Sequence, residues 1–268
     1  IWSATPCAMG WWSEPRRGGD LAAALAIACC TGHGQVAVME PYQESAGLTN
    51  MAVACLAQSP DGSLWIGTDN GLFSFDGFRI RREVTPPAAG PGITDLEADA
   101  FGRLWVATET GLFLRRENGG VAHWSAVVRP DGVGLGVEGK QRLTVDARGN
   151  VFAMDRRSRL WTVAVPPANP PRLEASLVAM PAFEPFHGAY DAAGGPIRAI
   201  GTALWFGCGG GLCRWQDGRL QAWGPGRGLP VDTWASVVAA RDGGLWARGV
   251  THLARLSPGS DRFESVDA

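Results

Sequence analysis

One phrase recurs along the chain, and this repetition limits the possible folds more than any other feature. Residues 59–77 read SPDGSLWIGTDNGLFSFDG, and residues 99–115 read DAFGRLWVATETGLFLR. An apolar–aromatic pair anchors five copies, spaced by about 40 to 53 residues: Leu64-Trp65, Leu104-Trp105, Val151-Phe152, Leu204-Trp205 and Leu245-Trp246. Self-similarity at this period indicates a repeat architecture, in which each copy is one supersecondary unit.

Each copy has the residues of a small antiparallel sheet. Asp61-Gly62 predicts a turn, because Asp caps its own backbone and Gly accepts a positive φ. SLWIGT is then a short strand, DNG predicts a primed hairpin turn, and GLFSF is the returning strand. MAVACLAQ and GITDLEAD supply a preceding strand, and GFRIRRE and GGVAHWSA supply a following one. The unit is therefore a four-stranded meander.

Such a sheet needs partners on both faces, because strands such as LWVAT and LWFGC are apolar on both sides of the pleat. Sheets arranged radially around an axis provide those partners. The sequence therefore predicts an all-β chain, a β-propeller of four-stranded antiparallel blades with about five blades present. The repeated aromatics become wedges between blades, and this packing role is favoured over a cofactor role. Composition agrees, since 37 glycines and 12 tryptophans suit short strands and tight turns.

The N-terminal part resembles a leader. Residues 16–37 run from two arginines through an apolar stretch, Leu21 to Cys30, to small residues, the order of a secretory signal. An ordinary buried helix is the alternative interpretation. We divide the chain into a leader-like segment, 1–44, and the blades, 45–268, and expect the blades to be extracytoplasmic. Residues 165–195, rich in Pro, Ala and Gly, predict an elaborated outer strand with a long loop.

The cysteines predict no zinc site, because none of the six forms a CxxC pair. Cys208 and Cys213 flank GGGL. A four-residue hairpin loop there would bring the two thiols face to face, and an oxidising compartment would then allow a disulfide. Two separate thiols in neighbouring strands are the alternative.

The sequence contains no recognisable catalytic constellation. His33, His123, His187 and His252 lack metal-ligand spacing, and no GxSxG or phosphate-binding loop occurs. We therefore predict no enzymatic activity, no metal and no cofactor for this chain. Asp61, Asp69 and Asp76 are interpreted as turn caps rather than acid–base groups.

A few residues outside the repeat anchors remain as ligand-binding candidates. Arg156 and Arg157 lie at the degenerate third hairpin, where they suit an anion, although a solvated turn is the simpler interpretation. Trp124, Trp223 and Trp234 lie outside the wedge positions and suit sugar or aromatic stacking, with outer-strand packing as the alternative. A formal net charge of −2 without a basic run argues against nucleic acid.

The phrase D-G-x-L-W-I-G-T-x-x-G-L resembles the repeat of the two-component regulator propeller family. The resemblance covers about residues 45–263, is clear in SAGLTNMAVACLAQSPDGSLWIGTDNGLFSFDGFRI and GRGLPVDTWASVVAARDGGLWARGVTHLARL, and is degenerate in the third and fourth units. It implies the sensor domain, usually seven-bladed, of a bacterial membrane receptor. Such receptors carry a diguanylate cyclase or histidine kinase output and can dimerise.

The resemblance also implies that this chain is a partial ring. About five units are present, without a transmembrane run or output motif, so we expect a membrane link only through a missing C-terminal region, and an isolated chain that is poorly soluble or incompletely closed. The predicted function is sensing of an unknown small-molecule or glycan ligand. The alternatives are a propeller enzyme resembling the streptogramin lyases and a protein-interaction scaffold.

Overall fold

A computed structural model describes residues 47–48, 52–137, 142–155, 157, 159–165, 173–179 and 195–266. These residues belong to a compact unit, Pro41–Ala268. The leader-like segment lies outside the described residues. Within the described part, no helix is long and apolar enough to cross a membrane.

The described residues form twenty strands and two short 3₁₀ turns, Pro87–Ala89 and Pro225–Arg227. Blade 1 comprises β1 (Val53–Gln58), β2 (Leu64–Thr68), β3 (Gly71–Phe75) and β4 (Ile80–Arg82). Blade 2 comprises β5 (Ile93–Ala98), β6 (Leu104–Thr108), β7 (Leu112–Asn118) and β8 (Val121–Val128). Blade 3 comprises β9 (Leu143–Val145), β10 (Val151–Met154), β11 (Leu160–Ala164) and β12 (Leu173–Leu177). Blade 4 comprises β13 (Ile197–Ile200), β14 (Ala203–Cys208), β15 (Gly211–Gln216) and β16 (Arg219–Trp223). Blade 5 comprises β17 (Trp234–Ala239), β18 (Leu245–Gly249), β19 (Leu253–Leu256) and β20 (Phe263–Ser265).

Every blade is the predicted antiparallel meander, with its strands hydrogen-bonded in sequence order. The first strands of the blades, β1, β5, β9, β13 and β17, are inner strands that contact one another in that order. The prediction of an all-β propeller with about five blades is therefore confirmed.

Blades 2 and 3 have an additional connection at their outer edges. β12 pairs in parallel with β8, through Leu173 opposite Val127 and Glu174 opposite Val128. The two meanders thereby become one eight-stranded sheet. The outer strand of the predicted segment 165–195 is thus β12, while 166–172 and 180–194 lie outside the described residues.

The turn between the first two strands of each blade follows the sequence prediction. Its glycine has a positive φ in all five blades: Gly62, Gly102, Gly149, Gly201 and Gly243. Asp61 accepts a hydrogen bond from the Ser63 amide at 3.0 Å, and Asp76 caps a later turn in the same manner. Both carboxylates therefore act as turn caps, as predicted.

The next hairpin in blade 1 differs from the prediction of a primed turn. Its loop is Asp69-Asn70, because Thr68 pairs with Gly71. A type I′ turn needs a positive φ at both central residues, yet among the described non-glycine residues only Asp217 has one. The Thr68 hydroxyl closes this loop instead, donating to the Gly71 carbonyl at 3.0 Å and accepting from the Asn70 amide at 3.2 Å.

Three of the predicted wedges are buried between blades. Each packs against the blade that follows its own: Trp65 against blade 2, Trp105 against blade 3 and Trp205 against blade 5. Phe152 is partly buried against blade 4. Trp246, the wedge of blade 5, is only partly buried, and the Arg255 guanidinium lies 5.5 Å from its ring centre. The wedge prediction is confirmed where a following blade is present.

A second tryptophan of blade 3 went unrecognised in the sequence. Trp161 lies on β11 and packs into the interface with blade 2. Its indole N–H donates to Asp155 at 3.0 Å, and Arg159 pairs with the same carboxylate at 2.7 Å. The spacing Asp-x₃-Arg-x-Trp repeats that of Asp99, Arg103 and Trp105, where the indole donates to Asp99 at 3.2 Å. Blade 3 therefore carries the turn phrase twice in succession.

Candidate ligand-binding channel

The inner strands line a cavity of about 990 Å³. Residues from all five blades line it, and they belong to the ranges 53–58, 95–98, 198–201 and 236–239, together with Leu143. A concave site of several hundred cubic ångströms, built on rigid strands, is a typical place for a small ligand. We therefore take this cavity, here called the channel, as the candidate functional site.

Strand register places one inner residue of each blade opposite its wedge aromatic. These five equivalent positions carry different side chains: Ala57, Glu97, Thr144, Arg198 and Val238. Thr144 is buried and accepts a hydrogen bond from the Ala199 amide at 3.0 Å. The other four line the channel. The same layer of the fold therefore presents a charged side on blades 2 and 4 and an apolar side on blades 1 and 5.

The charged side is an ion pair across the channel wall. Arg198 Nη1 donates to Glu97 Oε2 at 3.1 Å, so blade 4 is linked to blade 2 past the inner strand of blade 3. The Arg198 side chain remains 48% exposed, whereas that of Glu97 is 19% exposed. Burial raises the pKa of Glu97 above its ordinary value, and the charge of Arg198 opposes that rise.

A second carboxyl, Asp95, lies beside this pair and fastens blade 3 to blade 2. Its Oδ2 accepts the backbone N–H groups of Arg142 and Leu143 at 2.7 and 2.9 Å, and its Oδ1 accepts that of Leu96 at 3.0 Å. Burial raises the pKa of Asp95 to about 7, although these three donors favour the ionised form. Asp95 therefore titrates near neutrality while joining two blades.

The apolar side consists of aliphatic side chains that line the channel on the first and last blades, each of which has one face without a neighbouring blade among the described residues. Leu56 of β1 is 58% exposed and Val238 of β17 is 56% exposed. No aromatic residue lines the channel in the described part of the chain. The two sides together suit a ligand that has both a polar and an aliphatic portion.

The tryptophans proposed as stacking candidates pack at interfaces between blades. Trp223 and Trp234 are buried between blades 4 and 5. Their indole N–H groups donate to the carbonyls of Asp261 and Gly210, at 2.8 and 3.1 Å. Trp124 is partly buried at the interface of blades 1 and 2. The channel contains none of the three.

Arg157 lies at a separate cavity of about 400 Å³, at the hairpin ends of blades 2 and 3. Arg129 and Arg159 also line it, as do the carboxylates of Asp131 and Asp155, which pair with them at 3.2 and 2.7 Å. Glu109 is the third acidic group there, so positive and negative charges balance. Arg156 lies outside the described residues. The anion contact suggested for these arginines stays a prediction.

Cys208 and Cys213 are joined by a disulfide, with their Cα atoms 5.8 Å apart. The hairpin loop between them is Gly209-Gly210 rather than four residues, because Cys208 pairs with Gly211 and Cys213 with Phe206. Both cysteines are buried in the interface with blade 3. The disulfide therefore crosses the hairpin diagonally, inside the core.

The described histidines lie away from the channel lining. His123 is exposed on the outer strand β8. His252 lies in the hairpin between β18 and β19, where its Nδ1 is 3.1 Å from Asp232 Oδ2. Hydrogen bonds from Thr251 and His252 hold the pKa of Asp232 at about 2, against the opposing effect of its burial. This cluster closes a turn of blade 5, and His33 and His187 lie outside the described residues.

Sequence reasoning placed β1 and β5 correctly but missed the charged groups of the channel. The available signal was the pair of acidic residues in ITDLEA, Asp95 and Glu97, which interrupt a short strand that is otherwise suited to burial. No group of three or more His, Cys, Asp or Glu residues in the described part could hold a metal ion.

The architecture and the central cavity define this chain as a β-propeller. Residues 47–70 match the family described as "Two component regulator propeller", which confirms over the first repeat the resemblance seen in the sequence. No curated protein matches the chain by sequence.

Solved structures give the same fold. The extracellular domain of a protein assigned as a hybrid two component system from B. thetaiotaomicron aligns with a TM-score of 0.58 and 18% identity, covering 84% of this chain and 31% of that one. Virginiamycin B lyase from Staphylococcus aureus aligns with a TM-score of 0.57 and 14% identity, covering 81% of this chain and 70% of that one. At such identities the likeness concerns the fold.

Proposed function

We propose that this chain is the ligand-sensing propeller of an extracytoplasmic bacterial receptor, and that it has no catalytic activity of its own. The observation that carries the proposal is the match of residues 47–70 to the two-component regulator propeller family. Extracellular domains of proteins assigned as hybrid two component systems, which are among the similar structures, support it. The ligand binds in the channel, because five blades contribute to its wall and a ligand there contacts several of them together.

Sensing requires a ligand that binds two conformations of the protein with different affinity. The channel suits this requirement, since the Glu97–Arg198 pair joins blades 2 and 4 through side chains rather than through the backbone. A ligand that bonds to this pair changes the relation between these blades. The change then passes to a receptor module that follows the propeller.

The coding sequence that continues beyond residue 268 tests the receptor role. We expect a membrane-spanning segment followed by a diguanylate cyclase or histidine kinase. A stop codon directly after residue 268 in an intact gene would contradict the proposal.

A propeller lyase is the second candidate, favoured by the likeness to virginiamycin B lyase, an inactive variant of which was crystallised with quinupristin. Incubation of the purified chain with quinupristin, with and without Mg²⁺, followed by liquid chromatography and tandem mass spectrometry of the antibiotic, separates the two candidates, because elimination within a ring gives a linear isomer of the same mass. The sensor proposal expects the retention time and the fragmentation pattern to remain unchanged. Turnover by the chain would establish the enzyme instead.

A further inference from the structure

The ion pair in the channel leaves hydrogen-bonding groups free to face a ligand. Arginine has five N–H donors and a carboxylate has two acceptor oxygens. Only Arg198 Nη1 and Glu97 Oε2 are used in the bond between them, and neither side chain bonds to any other described residue. A ligand in the channel therefore meets donors and an acceptor side by side.

The net charge of this polar patch limits the ligand. Arg198 and Glu97 neutralise each other, and Asp95, the other carboxyl of the lining, is nearly buried and bonded to three backbone amides. A ligand with one charge would bring an unpaired charge into a cavity with an aliphatic wall, which is unfavourable. A ligand that carries a positive and a negative charge close together avoids that cost.

We propose that the channel binds a zwitterionic α-amino acid with an aliphatic side chain, as the ligand of the sensor function proposed above. Its carboxylate accepts from the free N–H groups of Arg198, and its ammonium group donates to Glu97. The four charged groups then alternate in sign around a closed cycle. The aliphatic side chain lies against Leu56 and Val238, whose exposed surfaces it covers.

The spacing of charges separates this ligand class from related ones. In an α-amino acid the ammonium and carboxylate groups are attached to one carbon, which suits two partners whose own contact is 3.1 Å. The termini of a dipeptide are several bonds further apart and cannot reach both partners at once. Simple fatty acids and alkyl amines carry only one of the two charges.

Isothermal titration calorimetry on the purified chain tests the inference. The probes are L-leucine, L-valine and L-isoleucine, with 4-methylpentanoate, 3-methylbutylamine and leucyl-leucine as matched analogues. We expect saturable binding of at least one amino acid and affinities about tenfold or more lower for the analogues. Equal binding of 4-methylpentanoate, or no saturable binding of any of the three amino acids, would overturn the inference.

Variants then locate the binding site. Arg198→Gln and Glu97→Gln should each weaken binding about tenfold, because each removes one charge-assisted bond. The double variant Glu97→Gln/Arg198→Gln leaves no unpaired charge and should fold and fail to bind. Arg219→Gln, at an exposed arginine on the outer strand β16, is the control and should bind normally. A double variant that is folded and binds as tightly as the parent would refute the site.

These titrations need only the propeller, so they are separate from the test of the receptor role. Amino acid binding by a chain whose gene ends at residue 268 would leave this inference standing and reject the receptor. If the gene continues into a receptor but the channel binds no amino acid, the receptor role is supported and this inference is rejected.

Discussion

Replacement of Asp99 by Ala should destabilise the propeller more than the same change at Asp146, the equivalent turn residue one blade later. Asp99 is buried, accepts the Phe101 and Arg103 amides at 2.9 and 3.0 Å, and also bonds to the Arg103 side chain and the Trp105 indole. Asp146 accepts two turn amides, at 2.9 and 2.8 Å, and the Asn150 side chain. It therefore lacks both the guanidinium and the indole.

The difference can be given a magnitude. Removing one partner of a buried ion pair costs about 3–5 kcal/mol, whereas loss of exposed turn hydrogen bonds costs about 1 kcal/mol. Asp99→Ala should therefore cost about 3 kcal/mol more than Asp146→Ala. For a domain of this size that corresponds to a difference of about 6–12 °C in Tm.

Thermal unfolding followed by tryptophan fluorescence measures this difference. Asp99→Asn, which keeps an acceptor but loses the charge, should fall between the parent chain and Asp99→Ala. Equal Tm values for Asp99→Ala and Asp146→Ala would refute the reasoning, because they would show that the buried guanidinium and indole need no carboxylate.

Three further predictions concern the channel, the disulfide and the last blade. Because the pKa of Asp95 is raised from 3.8 to about 7, its contribution to stability is complete only below about pH 4 and is lost progressively as the pH rises from there through about 7. Urea unfolding should thus show the parent losing up to about 4 kcal/mol relative to Asp95→Asn between about pH 4 and pH 8, and a constant difference would contradict this. Reduction of the Cys208–Cys213 disulfide, which closes a short loop, should lower the free energy of unfolding by about 2 kcal/mol in calorimetry with and without reductant, and Cys208→Ser should abolish that response. Trp105→Ala should cost about 3–5 kcal/mol and Trp246→Ala about half as much, because only Trp105 is fully covered by a following blade; similar urea midpoints would argue against the wedge role.

The fold was predictable because residues close together in each repeat determine the strands and turns of that repeat. The turn glycines, the apolar–aromatic pair and the spacing of the copies each imply one strand or one turn, and their repetition implies radial packing. Gly62 and Trp65 behave as that reasoning expects. The primed turn at Asn70 was wrong because a threonine hydroxyl closes the loop, an interaction that the turn dipeptide does not reveal.

The channel was harder to predict because its groups meet only through the arrangement of blades. Glu97 and Arg198 are separated by 101 residues, and neither belongs to a motif. The repeat pattern does not single out Trp161, because blade 3 carries the turn phrase at two successive turns and the sequence analysis places the anchor at Phe152. Long-range contacts between degenerate repeats leave no local signature in a single sequence.

The parallel pairing of β8 with β12 should make blades 2 and 3 stiffer, relative to each other, than the other pairs of neighbouring blades. Blades 2 and 3 share backbone hydrogen bonds between their outer strands, and the Asp95 carboxylate joins them near the channel. These two blades should therefore move as one rigid unit. Thermal motion between blades is then concentrated at the other interfaces, where, among the described residues, no strand of one blade pairs with a strand of the next. Amide hydrogen exchange should accordingly be slower in the paired outer strands β8 and β12 than in the outer strands of the other blades.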